Sequence, residues 1–96
     1  MIKVVAGNTV KKEKIEEFIL LAQKLVEATN KYDEGCIHYE LYQDINNPQV
    51  LTFIEEWESM DALNKHMDAD HFKEIVPKLG AFADGPEDVH LYQKTR

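Results

Sequence analysis

The spacing of apolar residues along the chain shifts from two to between three and four, back to two, and then repeats that cycle. Residues 2–9, "IKVVAGNT", are short and rich in β-branched side chains, which predicts a strand. From Lys11 the period lengthens. Ile15, Phe18, Ile19, Ala22, Leu25 and Val26 fall at i, i+3, i+4 and i+7 among Lys, Glu and Gln, the pattern of an amphipathic helix with one buried stripe. Helix-poor residues from Asn30 to Asp33, ahead of Gly35, set its end. "CIHYELYQD" then alternates, with Ile37, Tyr39 and Leu41 on one side and His38, Glu40 and Tyr42 on the other. "INNPQ" is a turn, and "VLTFIEEWE" alternates again with Leu51, Phe53, Glu55 and Trp57 on a common face. A connection that short makes the two strands an antiparallel hairpin.

Ser59 is placed to cap a following helix, with Asp61 near the positive end of its dipole and Met60, Leu63 and Met67 as its stripe. "DAD" interrupts, and Asp68 or Asp70 is the expected cap of a second helical piece carrying Phe72, Ile75, Val76 and Leu79. Pro77 is expected to kink or shorten that piece, because it lacks a backbone donor. "GAFADGPED" reads as loop and "VHLYQK" as a last strand. The order strand, helix, strand, strand, helix, strand predicts a single α+β domain over residues 1–96: a ferredoxin-like βαββαβ sandwich with a four-stranded antiparallel sheet. Both helices cover one face of that sheet. The other face carries either Ile37, Tyr39, Leu41, Leu51, Phe53 and Trp57 or the opposite set with Val50 and Ile54. Either set is apolar enough to ask for a partner, and a homodimer through the open face is the simplest one.

Size and charge narrow the picture. A 96-residue chain has a thin core, which pairing would relieve. The net charge of −7 argues against nucleic acid and against anionic membrane. No apolar run approaches the ~20 residues that cross a bilayer. "MIKVVAG" has no signal-peptide pattern, and one unpaired cysteine, Cys36, fits a reducing cytoplasm.

Candidate chemistry centres on "EEWESMDALNKHMDADHFKE". His66 and His71 are five apart, about 140° around an ideal helix, so the spacing does not ask for a metal. No HExxH, GxSxG or phosphate-binding glycine loop is present. Cys36 reads as a structural thiol. General acid–base work remains. His66 flanks its helix's apolar stripe and reaches a cavity edge between helix and sheet. Glu55 shares a face with Phe53 and Trp57, so it needs a partner or a shifted pKa, with a His or Lys of the following helix as the expected partner.

"EGCIHYELYQD", "FIEEWES" and "HMDADHF", in that order and spacing, resemble the antibiotic biosynthesis monooxygenase family over nearly the whole chain. The resemblance implies a dimeric α+β barrel with a pocket inside each subunit, between helices and sheet. It implies that Asn8, Trp57, His66, His71 and Phe72 line that pocket or lie close by. Several members oxygenate anthrones, quinols or similar aromatics without flavin, haem or metal; one branch isomerises a phosphorylated sugar derivative and another degrades haem. The haem branch's first-strand Asn matches Asn8, but its helix Trp falls at His66 and its haem ligand near Val76, which disfavours haem. The anthrone branch's Asn falls at Phe53. The isomerase-like branch shares both histidines.

The expected function is therefore cofactor-independent monooxygenation of an electron-rich aromatic with O₂. Such a substrate reduces oxygen readily only as its anion. A free phenol at pKa about 10 and an imidazole at about 6.5 leave the transfer uphill by roughly 5 kcal/mol, which the pocket must offset. The expected roles are His66 as base, Asn8 donating to an oxygen, Trp57 and Phe72 walling the ring, and His71 orienting. Glu55, paired with a histidine, would raise that histidine's pKa; Tyr39 joins Glu55 and Phe72 as a substrate contact. The alternatives are an isomerase on a small oxygenated or phosphorylated metabolite, using the same histidines without consuming oxygen, and a non-catalytic small-ligand-binding dimer whose pocket is merely apolar.

Overall fold

The computed structural model describes residues 1–96. Strand β1 spans Ile2–Thr9, and a 3-10 turn at Lys12–Lys14 leads into helix α1 (Ile15–Tyr32). Strands β2 (Cys36–Gln43) and β3 (Val50–Trp57) follow, then helices α2 (Met60–Met67) and α3 (Asp70–Gly80), and last strand β4 (Asp88–Gln93). The sheet runs β2-β3-β1-β4 with every neighbouring pair antiparallel. This is the ferredoxin-like α+β sandwich that the periodicity predicts. No helix is long and apolar enough to cross a membrane.

The alternation in β1 and β3 decides which face the helices cover. Val4 and Ala6 of β1, Tyr39 of β2, and Leu51, Phe53, Glu55 and Trp57 of β3 are buried beneath them. They meet Phe18, Ala22, Leu25 and Val26 of α1, Leu63 of α2, and Ile75 and Leu79 of α3 in one core. The open face is thus the second of the two possible sets, with Val50 and Ile54 on it together with Val5 and Thr52. Ile37 departs from the Tyr39 set. A bulge between Cys36 and His38 gives that strand one extra residue, and Ile37 is left 46% exposed.

The second helical segment differs in detail from its sequence pattern. Ser59 caps α2 as expected, its Oγ accepting from the Ala62 N–H at 3.1 Å. The buried face of α2 is Ala62, Leu63 and His66, while Met60 and Met67 are largely exposed. His66 therefore sits within the buried stripe rather than on its flank. Neither Asp68 nor Asp70 caps α3; the N-cap is Ala69, and Asp68 closes the end of α2 and pairs with Lys73 at 2.7 Å. Pro77 lies inside α3, which continues to Gly80. The fourth strand starts one residue earlier than "VHLYQK", at Asp88.

One turn sets the geometry of the site. Between α1 and β2, Gly35 adopts φ +81°, and a Cβ built there would lie 2.6 Å from the Ala62 Cβ. Only glycine combines that backbone conformation with that approach. The turn consequently presses against α2 and carries Asp33, the C-cap of α1, to the buried face of α2.

Candidate functional site

A cavity of about 410 Å³ lies between the helices and the sheet. Its wall is mostly apolar, including Val4, Ala6, Leu25, Phe53, Leu63, Phe72, Val76 and Leu79. Five residues bring polar groups or charge to it: Asn8, Tyr39, Glu55, His66 and Glu87. The volume falls within the usual range for small-molecule sites.

His66 is 2% exposed and packed on three sides by aromatic rings. The Trp57 ring centre lies 4.6 Å away, Phe72 5.0 Å in an edge arrangement, and Tyr39 5.1 Å. Its Nδ1 is 2.5 Å from Asp33 Oδ2. A carboxylate can only accept, so the imidazole proton resides on Nδ1, and Nε2 keeps its lone pair. Burial lowers the His66 pKa below the ordinary imidazole value, outweighing the hydrogen bond and charge of Asp33, which act to raise it. The result is a neutral imidazole held in one tautomer.

His71 donates from Nε2 to the same carboxylate, 2.9 Å from Oδ1 and 3.0 Å from Oδ2. The pair that looked misaligned on an ideal helix is brought together because α2 stops at Met67 and α3 restarts at Asp70. Asp33, His66 and His71 place three donor atoms within 4.8 Å of one another, the donor set of a two-His, one-carboxylate metal site. Ligands sharing a tetrahedral metal at about 2.0–2.1 Å stand roughly 3.3 Å apart. The separations of 2.5 and 2.9 Å are instead those of N–H···O bonds.

Glu55 is 6% exposed, and its side chain accepts one hydrogen bond, from Trp57 Nε1 at 3.0 Å. Its partner is thus an indole rather than the expected histidine or lysine. Burial pushes its pKa up to about 7; the Trp57 N–H opposes this, and the charge of Glu87 adds to it. Tyr39 is 2% exposed, and burial followed by the charge of Glu55 drives its phenol far above the ordinary value, so the hydroxyl stays protonated. Asn8 gives its amide N–H groups to the carbonyls of Ala6 and Leu51, both at 3.3 Å. Both amide N–H groups thus face backbone carbonyls, and the unpartnered part of its amide is Oδ1. Cys36 sits beside the site with its thiol pushed up to about 11, first by burial and then by Asp33 and Glu55.

Of the sequence candidates, Asn8, Tyr39, Glu55, His66 and Phe72 line the cavity. Trp57 does not; it is fully buried behind the wall, where it touches His66 and Glu55. His71 also stands behind it, reached through Asp33. Asp33 and Glu87 were not legible as site residues. Asp33 did carry a signal: an acid at a helix C-terminus opposes the dipole and is favoured there only with a donor partner.

Fold and site together define an α+β sandwich built around an internal, imidazole-bearing hollow. The family model described as "Antibiotic biosynthesis monooxygenase" matches residues 1–78, and the chain belongs to that family. A relative in Synechocystis, described as an uncharacterized protein, is 36% identical over 94% of this chain; the chain spans 61% of that relative's length. The Bacillus subtilis protein named "Putative monooxygenase YcnE" is 33% identical, with 93% of each chain covered. Among solved structures, a conserved protein from Methanosarcina mazei Go1 superposes with a TM-score of 0.94 at 45% identity, covering 98% of this chain and 92% of its own. A structure described as an antibiotic biosynthesis monooxygenase gives 0.93 at 32% identity with both chains fully covered.

Proposed function

We propose that this protein is a monooxygenase that oxidises an electron-rich phenol, of the hydroquinone class, with O₂ and without a cofactor of its own. The observation that carries the reading is the pairing of a neutral, Asp33-held His66 with an unpartnered Tyr39 hydroxyl on the wall of one apolar cavity. The substrate hydroxyl gives its proton to His66 Nε2. Tyr39 donates to the phenolate oxygen as charge builds on it, in surroundings where water does not compete. The phenolate then supplies electrons to O₂. A hydroquinone and O₂ give a hydroxyquinone and water: one oxygen atom enters the ring, the other leaves as water, and the ring furnishes all four electrons. No external reductant is required. The imidazolium formed on the way is stabilised by the Asp33 carboxylate, which lies between His66 and His71. The wall holds no Lys or Arg, so the phosphate of a flavin or the propionates of a haem would find no counter-charge there.

The test is oxygen uptake by purified protein on a panel of hydroquinones, with isotopically heavy O₂ to follow one oxygen atom into the product. His66→Ala should lower turnover by about 10²–10⁴-fold, the range for a positioned acid–base group. Equal rates in wild type and variant remove His66 from the chemistry.

The same base and hydroxyl would serve an isomerase, but the lack of a cation on the wall opposes a phosphorylated substrate. We further propose that two copies pair through the open sheet face, where Val5, Val50 and Ile54 are only partly covered. Sedimentation of wild type against Ile54→Lys reads this directly, with the variant expected to run as a monomer.

A further inference from the structure

The cavity is unbalanced in charge and in hydrogen-bonding sense. Its two carboxylates, Glu55 inside and Glu87 in the exposed segment before β4, have no Lys or Arg beside them among the lining residues. The Asn8 N–H groups are spent on backbone carbonyls, and the His66 Nδ1 proton is spent on Asp33. What the wall offers a ligand is therefore acceptors: the carboxylates, Asn8 Oδ1 and His66 Nε2. With Glu55 ionised, the single side-chain donor is the Tyr39 hydroxyl. A ligand must bring its own donors, and any anionic group it brings meets negative charge.

We propose that Glu55 and Glu87 make the cavity a charge filter, which takes neutral or cationic rings bearing hydroxyl donors and turns away phosphorylated or carboxylated ones. This deepens the functional reading above and rests on its premise that the cavity is the substrate site. Two independent features support it. Two carboxylates facing one mostly apolar cavity disfavour a bound anion there, because a low-dielectric wall screens charge poorly. And Glu55 Oε2 has no protein donor, so a ligand O–H or N–H that reaches it relieves an unmet need.

The test is calorimetric binding, under anaerobic conditions, of four probes that share a phenol. The pH is held at about 8.5, above the raised Glu55 pKa of about 7, so that both carboxylates are charged. The probes are 4-hydroxyphenethyl alcohol (neutral), tyramine (cationic), 4-hydroxyphenylacetate and 4-hydroxyphenyl phosphate (both anionic). Tyramine should bind at least as tightly as the alcohol, and both anions at least roughly tenfold more weakly. Glu87→Lys, on an exposed residue whose change leaves the core intact, should bring the anions to within roughly threefold of the alcohol and weaken tyramine. The proposal is overturned if the anions match the alcohol, if Glu87→Lys leaves the order unchanged, or if neither the alcohol nor tyramine binds. Should hydroquinones consume no oxygen while the binding order holds, the oxygenase reading fails and the filter stands.

Discussion

Glu55→Gln should make the protein more stable at high pH and leave it nearly unchanged at low pH. In the folded chain the carboxyl is 6% exposed with one donor, and its pKa rises from 4.5 to about 7. The native state thus holds a proton on Glu55 that the unfolded chain has released, across the window between those two values. Stability falls as pH rises through that window, because ionising the native carboxyl costs more than ionising the unfolded one. At ~1.36 kcal/mol per unit, the shift amounts to about 3 kcal/mol lost between roughly pH 4 and pH 8. Glutamine keeps a carbonyl oxygen for the Trp57 N–H and cannot ionise. Urea denaturation of wild type and variant at a series of pH values gives the difference directly. His66 acts in the opposite sense, since a lowered histidine pKa costs stability as pH falls below about 6.5, but it is common to both proteins and cancels in the difference. The two curves should diverge by about 3 kcal/mol toward high pH, with Gln the more stable. Parallel curves would mean that Glu55 ionises as it does in water, and that the cavity is wet.

Other substitutions test other parts of the site. Asp33→Ala leaves the ring N–H groups of His66 and His71 without their acceptor and should cost about 2–4 kcal/mol by denaturation, with loss of the fixed Nδ1–H tautomer by nitrogen-resolved NMR. Gly35→Ala forces an L-residue to φ +81° and sets its Cβ 2.6 Å from that of Ala62, so a loss of about 2–4 kcal/mol is expected in the same assay. Tyr39→Phe keeps the ring packing against Phe53 at 5.5 Å but removes the one donor on the wall; turnover should fall by about 10²-fold with stability changed by less than about 1 kcal/mol. Cys36, with its thiol pushed up to about 11, should alkylate at least roughly tenfold more slowly than a free thiol near pH 8, and at the free rate once unfolded.

The fold was legible because most of its elements show their own period. Eight residues of alternation in β3 and the α1 stripe from Ile15 to Val26 each bury one side, so pattern and structure coincide. The short helix α2 was misread for the converse reason. With only eight residues it has little more than two turns, and Met60, Leu63 and Met67 satisfied the helical spacing as well as the set that is buried. A helix that short takes its orientation from what presses on it, here the Gly35 turn against Ala62. No periodicity within α2 reports a contact made by a residue nearly thirty positions upstream.

The same limit explains which site residues were visible. Glu55, Trp57 and His66 stand out locally, as polar or bulky groups inside or beside apolar stripes. Asp33 does not, because its role exists only across 33 residues of separation from His66 and 38 from His71. Yet in the proposed mechanism Asp33 decides the chemistry. A buried imidazole with no acceptor at Nδ1 would be free to take either tautomer, and in one of them would turn its proton toward the ligand instead of its lone pair. On that proposal, by fixing the proton a helix-ending acid makes a packing histidine a directed base. The break between Met67 and Asp70 then admits His71 to the carboxylate's other oxygen, which holds the acid in place. Site and fold are thus coupled at one turn. Whatever displaces Gly35 moves Asp33, and turnover should fall in Gly35→Ala more steeply than its loss of folded population accounts for.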